Sequence, residues 1–370
     1  MSTASRGSQG GSGISFQTLA IASLSSLAAA LVVHKVWGGG AIVGAAVTPI
    51  IVGIVGEALR RPAERLTTTR DSSRRVPVGQ GHDVGMPSRQ RGDDPFGLWE
   101  QMIGRVKAEH PEVIFLSEAF TRPKVMHRLA KVGFGQSYTY FTWRNTKAQL
   151  QEYFTELCHG PGREYFRPNV WPNTPDILPE YLQIGGRAAF MTRVTLDATL
   201  SASYGIYGPA FELGEHRPRE IGSEEYLDSE KYQQRQWDLE RADSLAPFIA
   251  RLNRIRREQP ALQRDWGLEF LAIDNEQMLA FAKTDAGHDA VVVVVNLDPY
   301  NAHSGWLEMP LERFGLTPDA PYRMQDLLGG GSFLWQGPRN YVRLDPHGVV
   351  AHVFVVQRHV RTEKEFDYFL

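Results

Sequence analysis

Two long apolar runs open the chain, Phe16–Val33 and Trp37–Val55, separated by a short stretch containing His34 and Lys35. A membrane-spanning helix needs about 20 apolar residues, and neither run shows a polar face. The pattern predicts a hydrophobic helical hairpin over residues 15–59, read as transmembrane. A buried hairpin in a soluble protein is the competing reading. Residues 1–14 are rich in Ser and Gly and read as a disordered start. Residues 60–94 carry eight arginines and scattered Gly, Pro and Ser without a period, which is the pattern of a basic flexible linker. Basic residues beside an apolar run favour the cytoplasmic side, so the rest of the chain is expected there, anchored to the cytoplasmic face.

From residue 95 the periodicity changes. Leu98, Trp99, Met102, Ile103 and Val106 recur at three- and four-residue steps and predict an amphipathic helix. Val113–Leu116 is an unbroken apolar run, expected to be a strand buried on both faces. Further helices are predicted at 123–132, 149–157, 187–200 and 244–259, and strands at 134–141, 169–171 and 203–207. Alternating strand and helix predicts parallel βα units over residues 95–262. Residues 263–360 instead show short strands at 270–273, 278–281, 291–295, 322–327, 333–335, 341–344 and 349–356. Turn residues between them, such as Asp345-Pro346-His347-Gly348, make this an antiparallel β-sandwich. Residues 361–370 read as a solvated tail. The fold class is therefore α/β, with a sandwich following a parallel region.

Composition narrows the function. Of 370 residues, 42% are hydrophobic and 22% charged, which excludes a wholly disordered chain and a many-spanning membrane protein. The net charge of −2 provides no basic excess for nucleic acid. A single cysteine, Cys158, excludes an internal disulfide and a Cys-rich zinc site. No metal-ligand spacing or nucleotide-binding glycine fingerprint is present, so no cofactor is expected; Gly38-Gly39-Gly40 and Gly329-Gly330-Gly331 read as turns.

Glu118 follows an apolar strand directly, and Asp176 follows another, within Asn173-Thr174-Pro175-Asp176. Carboxylates at the C-terminal ends of parallel strands are where barrel enzymes place catalytic groups, and paired carboxylates suit glycosyl chemistry. Position alone favours a structural role for each, Glu118 as a salt-bridge partner and Asp176 as a helix N-cap after Pro175. Tyr138, Tyr140 and Trp143 fit either a sugar-site lining or the core.

The strings VIFLSEAFTRPKVM, GQSYTYFTWRNTK, REYFRPNVWPNTPDIL, ATLSASYGIYGPAFELGE, EEYLDSEKYQQR and FIARLNRIRREQPAL together resemble the α-1,4-glucan:maltose-1-phosphate maltosyltransferases of the α-amylase superfamily, over residues 95–360. The resemblance implies the second half of a (β/α)8 barrel over 95–262, followed by the sandwich. It implies retaining transfer of maltosyl from maltose 1-phosphate to the non-reducing end of an α-1,4-glucan, with release of phosphate. Glu118 then matches the general acid/base, Asp176 the transition-state stabiliser, and Lys231 and Tyr232 the donor-binding pair. It further implies a homodimer and no metal. The nucleophile's context is altered here. Arg91-Gly92-Asp93-Asp94-Pro95 keeps an Arg-x-Asp-x-Pro skeleton but follows polar linker instead of a strand, so Asp93 is the candidate nucleophile, or else a helix-start acid. With four βα units in place of eight, impaired turnover is expected. The alternatives are a membrane-tethered glucan-binding or scaffold fragment without chemistry, and an α-glucan hydrolase.

Overall fold

The computed structural model describes residues 96–285 and 290–357. Residues 1–14, the 15–59 hairpin, the 60–94 linker, Asp93 and the 361–370 tail lie outside the described residues. Among the described residues, no helix is long and apolar enough to cross a membrane.

The parallel region begins with α1 (Gly97–Glu109), β1 (Leu116–Ser117), α2 (Pro123–Lys131), β2 (Gln136–Tyr138), α3 (Lys147–His159) and β3 (Pro168–Asn169). Helices α4 (Glu180–Ile184), α5 (Gly186–Leu200), α6 (Gly208–Glu212) and α7 (Ala246–Glu258) follow. The strands form one parallel sheet in the order β1-β2-β3. A parallel bridge between Val170 and Tyr204 extends it by a fourth strand position. Gly205 is required there, because a Cβ would lie 2.3 Å from the Trp171 indole. Helix α3 opens with a capping box: Gln149 N–H donates to Thr146 Oγ1 at 3.3 Å, and Thr146 N–H donates to Gln149 Oε1 at 3.2 Å.

Two expectations for this region are corrected. Val113–Leu116 is not buried on both faces. Ile114 is 70% exposed and Leu116 50% exposed, and only Leu116 joins the ladder. β1 is the edge of the sheet, with β2 as its one hydrogen-bonded neighbour among the described residues. The strand expected over 134–141 is also shorter. It stops at Tyr138, and Tyr140–Trp143 forms a 3-10 turn instead.

The sandwich contains β4 (Leu268–Leu271), β5 (Met278–Thr284), β6 (Ala290–Asn296), β7 (His303–Glu308), β8 (Tyr322–Asp326), β9 (Ser332–Trp335), β10 (Arg339–Leu344) and β11 (Ala351–Gln357). Its antiparallel sheets run β4-β5-β6-β11-β8-β9 and β7-β10. β7, in HSGWLE, is an element that the hydrophobic pattern did not predict. All seven residues of β6 are buried, because the large sheet is covered on both sides. Val291, Val293 and Val295 join the core of α3, α5 and α7, whereas Val292 and Val294 face Leu307, Phe314 and Trp335.

Helix α5 is the hub of this packing. Twelve of its 15 residues are buried. Two of its last carbonyls, which no helix can satisfy internally, and the two carbonyls just beyond its end are met by cations from elsewhere. Arg256 on α7 donates to Ala198 O, to Ser201 O at 3.0 Å and to Ala202 O at 2.7 Å. Lys283 on β5 donates to Leu200 O at 3.3 Å, and burial lowers its ammonium pKa to about 8. Near this end lies Asp197, fully buried, with neither carboxylate oxygen hydrogen-bonded among the described residues. Burial pushes its pKa well up, against the pull of Arg193 and Arg256.

An acid raised in the folded state contributes stability below its unfolded pKa and loses it as pH rises toward the folded value. Asp197→Asn removes that dependence. Chemical denaturation should show the variant gaining on wild type from about pH 4 upward, by up to about 1.4 kcal/mol per pH unit. A pH-independent gap would mean that Asp197 stays ionised against Arg193.

Candidate active site at the carboxyl ends of the parallel strands

Glu118 is the first residue after β1 and is exposed. Asp176 lies in the loop after β3, so both carboxylates stand at the same edge of one parallel sheet. Aromatic rings fill the space between strand ends. Tyr138, at the end of β2, stacks on Trp171 at 4.9 Å, and Phe120 packs edge-on against Tyr138 and Trp143. Burial, then the nearby Glu118 carboxylate, raises the Tyr138 hydroxyl pKa. Tyr138, Tyr140 and Trp143 are half-buried, so they are lining and packing at once.

Asp176 is not a helix N-cap. Thr174 and Ile177 exchange backbone hydrogen bonds of 3.0 and 3.2 Å, closing a turn with Pro175 and Asp176 at its centre. Proline's fixed φ suits the first of these central positions, and α4 begins only at Glu180. The turn is held from below by Asn173, which is wholly buried. Asn173 donates to the Tyr226 hydroxyl at 2.7 Å and accepts from Tyr207 N–H at 3.0 Å.

The structure brings two of the candidate residues together. Lys231 Nζ lies 2.5 Å from Asp176 Oδ1 and 3.9 Å from Glu225 Oε1. Tyr232 is 73% exposed. It lines a cavity of about 500 Å³ with Glu225, Tyr226, Leu227, Asp228 and Ser229, which neither Glu118 nor Asp176 borders. The segment carrying Lys231 and Tyr232 has no regular structure and depends on side-chain anchors. Glu215 is the principal one. It accepts from Arg235 Nη2 at 2.8 Å and from Arg217 Nε at 3.1 Å. Burial pushes the Glu215 carboxyl up, but the hydrogen bonds from Arg217 and Arg235 outweigh it and bring the pKa down to about 2. Glu230 is a second anchor, accepting from Tyr207 Oη and from Trp237 Nε1. Sequence reasoning missed Asn173, Glu215 and Glu230 as site-forming groups. Their only signal was their place inside the NTPD, ELGE and SEKY strings. Among the described residues, no group of His, Cys, Asp and Glu side chains is arranged to hold a metal.

The depressed Glu215 pKa means that its anchoring is complete above the ordinary carboxylate pKa and is lost as pH falls through about 2. Hydrogen exchange over residues 225–235 should therefore quicken as pH drops below about 4.3, after correction for the intrinsic rate. Glu215→Gln should show the faster exchange already at pH 7, with little change in the sandwich. Unchanged exchange in the variant would remove Glu215 from this role.

Residues 270–356 match the family model described as GLGE, C-terminal. An α-1,4-glucan:maltose-1-phosphate maltosyltransferase of Chlorobaculum tepidum is 52% identical over 268 residues, 70% of this chain and 40% of that relative. The enzyme of the same name from Myxococcus xanthus is 50% identical over 276 residues, covering 74% and 41% of the two chains. The chain thus spans about two fifths of the length of these relatives. Among solved structures, an Anoxybacillus α-amylase superposes with a TM-score of 0.56 at 15% identity, covering 72% of this chain and 57% of that one. The α-amylase of H. orenii gives 0.52 at 15%, covering 71% and 57%. The amylase likeness shows the fold alone, and the closer sequence likeness shows the kinship. With an α-amylase-like fold and about half of its positions shared, this chain from about residue 95 to 360 is the counterpart of the C-terminal part of the α-1,4-glucan:maltose-1-phosphate maltosyltransferases.

Proposed function

We propose that the parallel region is the second half of a (β/α)8 barrel. It contributes the acid side of a retaining site that moves maltosyl from maltose 1-phosphate to the non-reducing end of an α-1,4-glucan. The observation that supports this most is the Lys231–Asp176 contact of 2.5 Å. Two groups 55 positions apart in sequence are in contact in the loops beyond the parallel strands, the face from which barrel enzymes work. In this reading Glu118 donates its proton to the phosphate oxygen leaving C1, while a carboxylate nucleophile bonds to C1. Asp93, the candidate for that nucleophile, lies outside the described residues. The 4-hydroxyl of the glucan then attacks C1, Glu118 takes up its proton, and the nucleophile departs, so configuration is retained. Asp176 steadies the positive charge that develops at C1. Lys231 holds sugar hydroxyls with its donors while pairing with Asp176, and Tyr232 offers a ring face with a polar tip.

The site is one-sided among the described residues. Glu118 follows a strand that is the sheet's edge among the described residues, so slow turnover by the chain alone is part of this reading. Cytoplasmic placement, anchorage through residues 15–59 and pairing of two copies belong to the same proposal.

The test is phosphate release from maltose 1-phosphate with glycogen as acceptor. Wild type is expected to run below the usual enzymatic range of about 1–10³ s⁻¹. Glu118→Gln should lower that rate by about 10²–10⁴-fold. Asp93→Asn should lower it comparably if Asp93 is the nucleophile, and Lys231→Ala should chiefly raise KM for the donor. No release from folded protein would leave glucan binding without chemistry. Reducing sugar liberated with no donor present would replace transfer by hydrolysis.

A further inference from the structure

The loop that carries Glu118 and the segment that carries Lys231 are joined through one residue, Glu224. Trp143, half-buried at the end of its 3-10 turn, donates from Nε1 to Glu224 Oε1 at 2.7 Å, across 81 positions of sequence. The backbone of Glu224 is fixed as well. Its carbonyl accepts from Leu178 N–H at 2.6 Å, two residues beyond Asp176. Gln183 braces the same junction, its Nε2 donating to Leu178 O at 2.8 Å and to Ser223 O at 2.9 Å. The next residue, Glu225, serves other partners. It pairs with Arg219 at 2.8 Å and lies 3.9 Å from Lys231 Nζ. Two adjacent carboxylates therefore connect the wall beside the acid to the donor-binding pair.

Trp143 acts on the Glu118 loop by packing. Its ring meets Phe120 edge-on with centroids 5.4 Å apart, and it lies 6.0 Å from Tyr140. Phe120 stands two residues after Glu118 and also packs against Tyr138 at 5.8 Å. Tyr140 Oη donates to Thr121 O, and Thr121 N–H donates to Ala119 O at 2.8 Å, closing a tight turn directly after Glu118. β1 is two residues long and gives the acid little support of its own, so the direction of this loop depends on these contacts. The backbone of the 3-10 turn is held by Thr142, whose Oγ1 donates to Trp171 O at 2.7 Å. The orientation of the Trp143 ring is left to its indole N–H, the only polar group on that side chain.

We propose that Glu224 is a positioning residue for the glycosyl transfer. It fixes the Trp143 ring against Phe120, and through that contact the loop bearing Glu118, from the same segment that presents Lys231 and Tyr232. The role in transfer rests on the maltosyltransferase reading; the linkage from Glu224 through Trp143 to Phe120 does not. An acid displaced by about 1 Å loses up to about 10²-fold in rate without weaker donor binding. A sugar-lining role for Trp143 alone gives the opposite split, a raised KM.

Two variants of the full chain test this by removing either end of the bond. Glu224→Ala removes the acceptor, and Trp143→Phe keeps a ring but removes the donor. Each should lower kcat for phosphate release from maltose 1-phosphate by about 10–10²-fold, with donor KM within about twofold of wild type. The double variant should be no slower than either alone. Glu224→Gln, whose amide oxygen accepts the same bond, should recover most of the rate. Fluorotryptophan labelling supplies a readout independent of turnover. Trp143→Phe identifies the Trp143 fluorine resonance; Glu224→Ala should shift it, and Glu224→Gln should bring it back. Hydrogen exchange over residues 118–121 should quicken in Glu224→Ala and Trp143→Phe, with the sandwich unchanged. An unmoved resonance with unchanged exchange in Glu224→Ala overturns the linkage. Exchange that quickens throughout the chain also overturns it, making Glu224 a general prop of the fold. A kcat loss that Glu224→Gln does not recover and Trp143→Phe does not share would put Glu224 in contact with the reaction instead. A raised KM with kcat unchanged in both variants would leave Trp143 a lining residue only. If wild type releases phosphate and Glu224→Ala matches it, this inference fails while the functional reading stands. If wild type releases none while the resonance and exchange respond, the functional reading fails and takes the role in transfer with it, and the linkage stands.

Discussion

A helix buried on every side has nowhere to send its last carbonyls, and that constraint organises this molecule. Helix α5 passes between the parallel region and the sandwich, and its end is closed by Arg256 from α7 and Lys283 from β5. The sandwich is thus part of the core that surrounds α5, with Thr192 on the helix also donating to Asn296 O at 3.1 Å on β6. Burying Lys283 and Asp197 costs stability, which the hydrogen bonds to the helix end offset for Lys283 alone. Asp197 has no such compensation among the described residues and moves its pKa instead.

The same logic, polar groups fixed by burial, builds the carboxylate site. Its candidate residues are exposed, and Asp176, Lys231 and Tyr232 are positioned by residues beneath them. Asn173 orients the turn that presents Asp176, and Glu215 draws in the arginines that shape the segment presenting Lys231 and Tyr232.

Elements whose burial is uniform were readable from residue pattern. The five valines of β6 and the apolar stripe of α7 needed only covering on both faces or on one, and the pattern says which. Elements whose burial depends on a distant neighbour were misread. Val113–Leu116 has the composition of an inner strand, but an inner strand needs partners on both sides, and composition cannot count partners. β7 escaped notice because its outward positions include Trp306, a residue normally expected inside, which blurs the two-residue alternation.

The amino-acid sequence by itself determined the two-part architecture, the kinship and the identity of Glu118, Asp176, Lys231 and Tyr232 as candidates, because these rest on local periodicity and on strings of adjacent residues. Tertiary structure alone decided that Lys231 reaches Asp176, that Asn173 and Glu215 support them, and that Trp306 and Tyr341 face each other in solvent. Each of those facts joins residues far apart in the chain or depends on strand register, and neither through-space distance nor register is encoded in the order of neighbours.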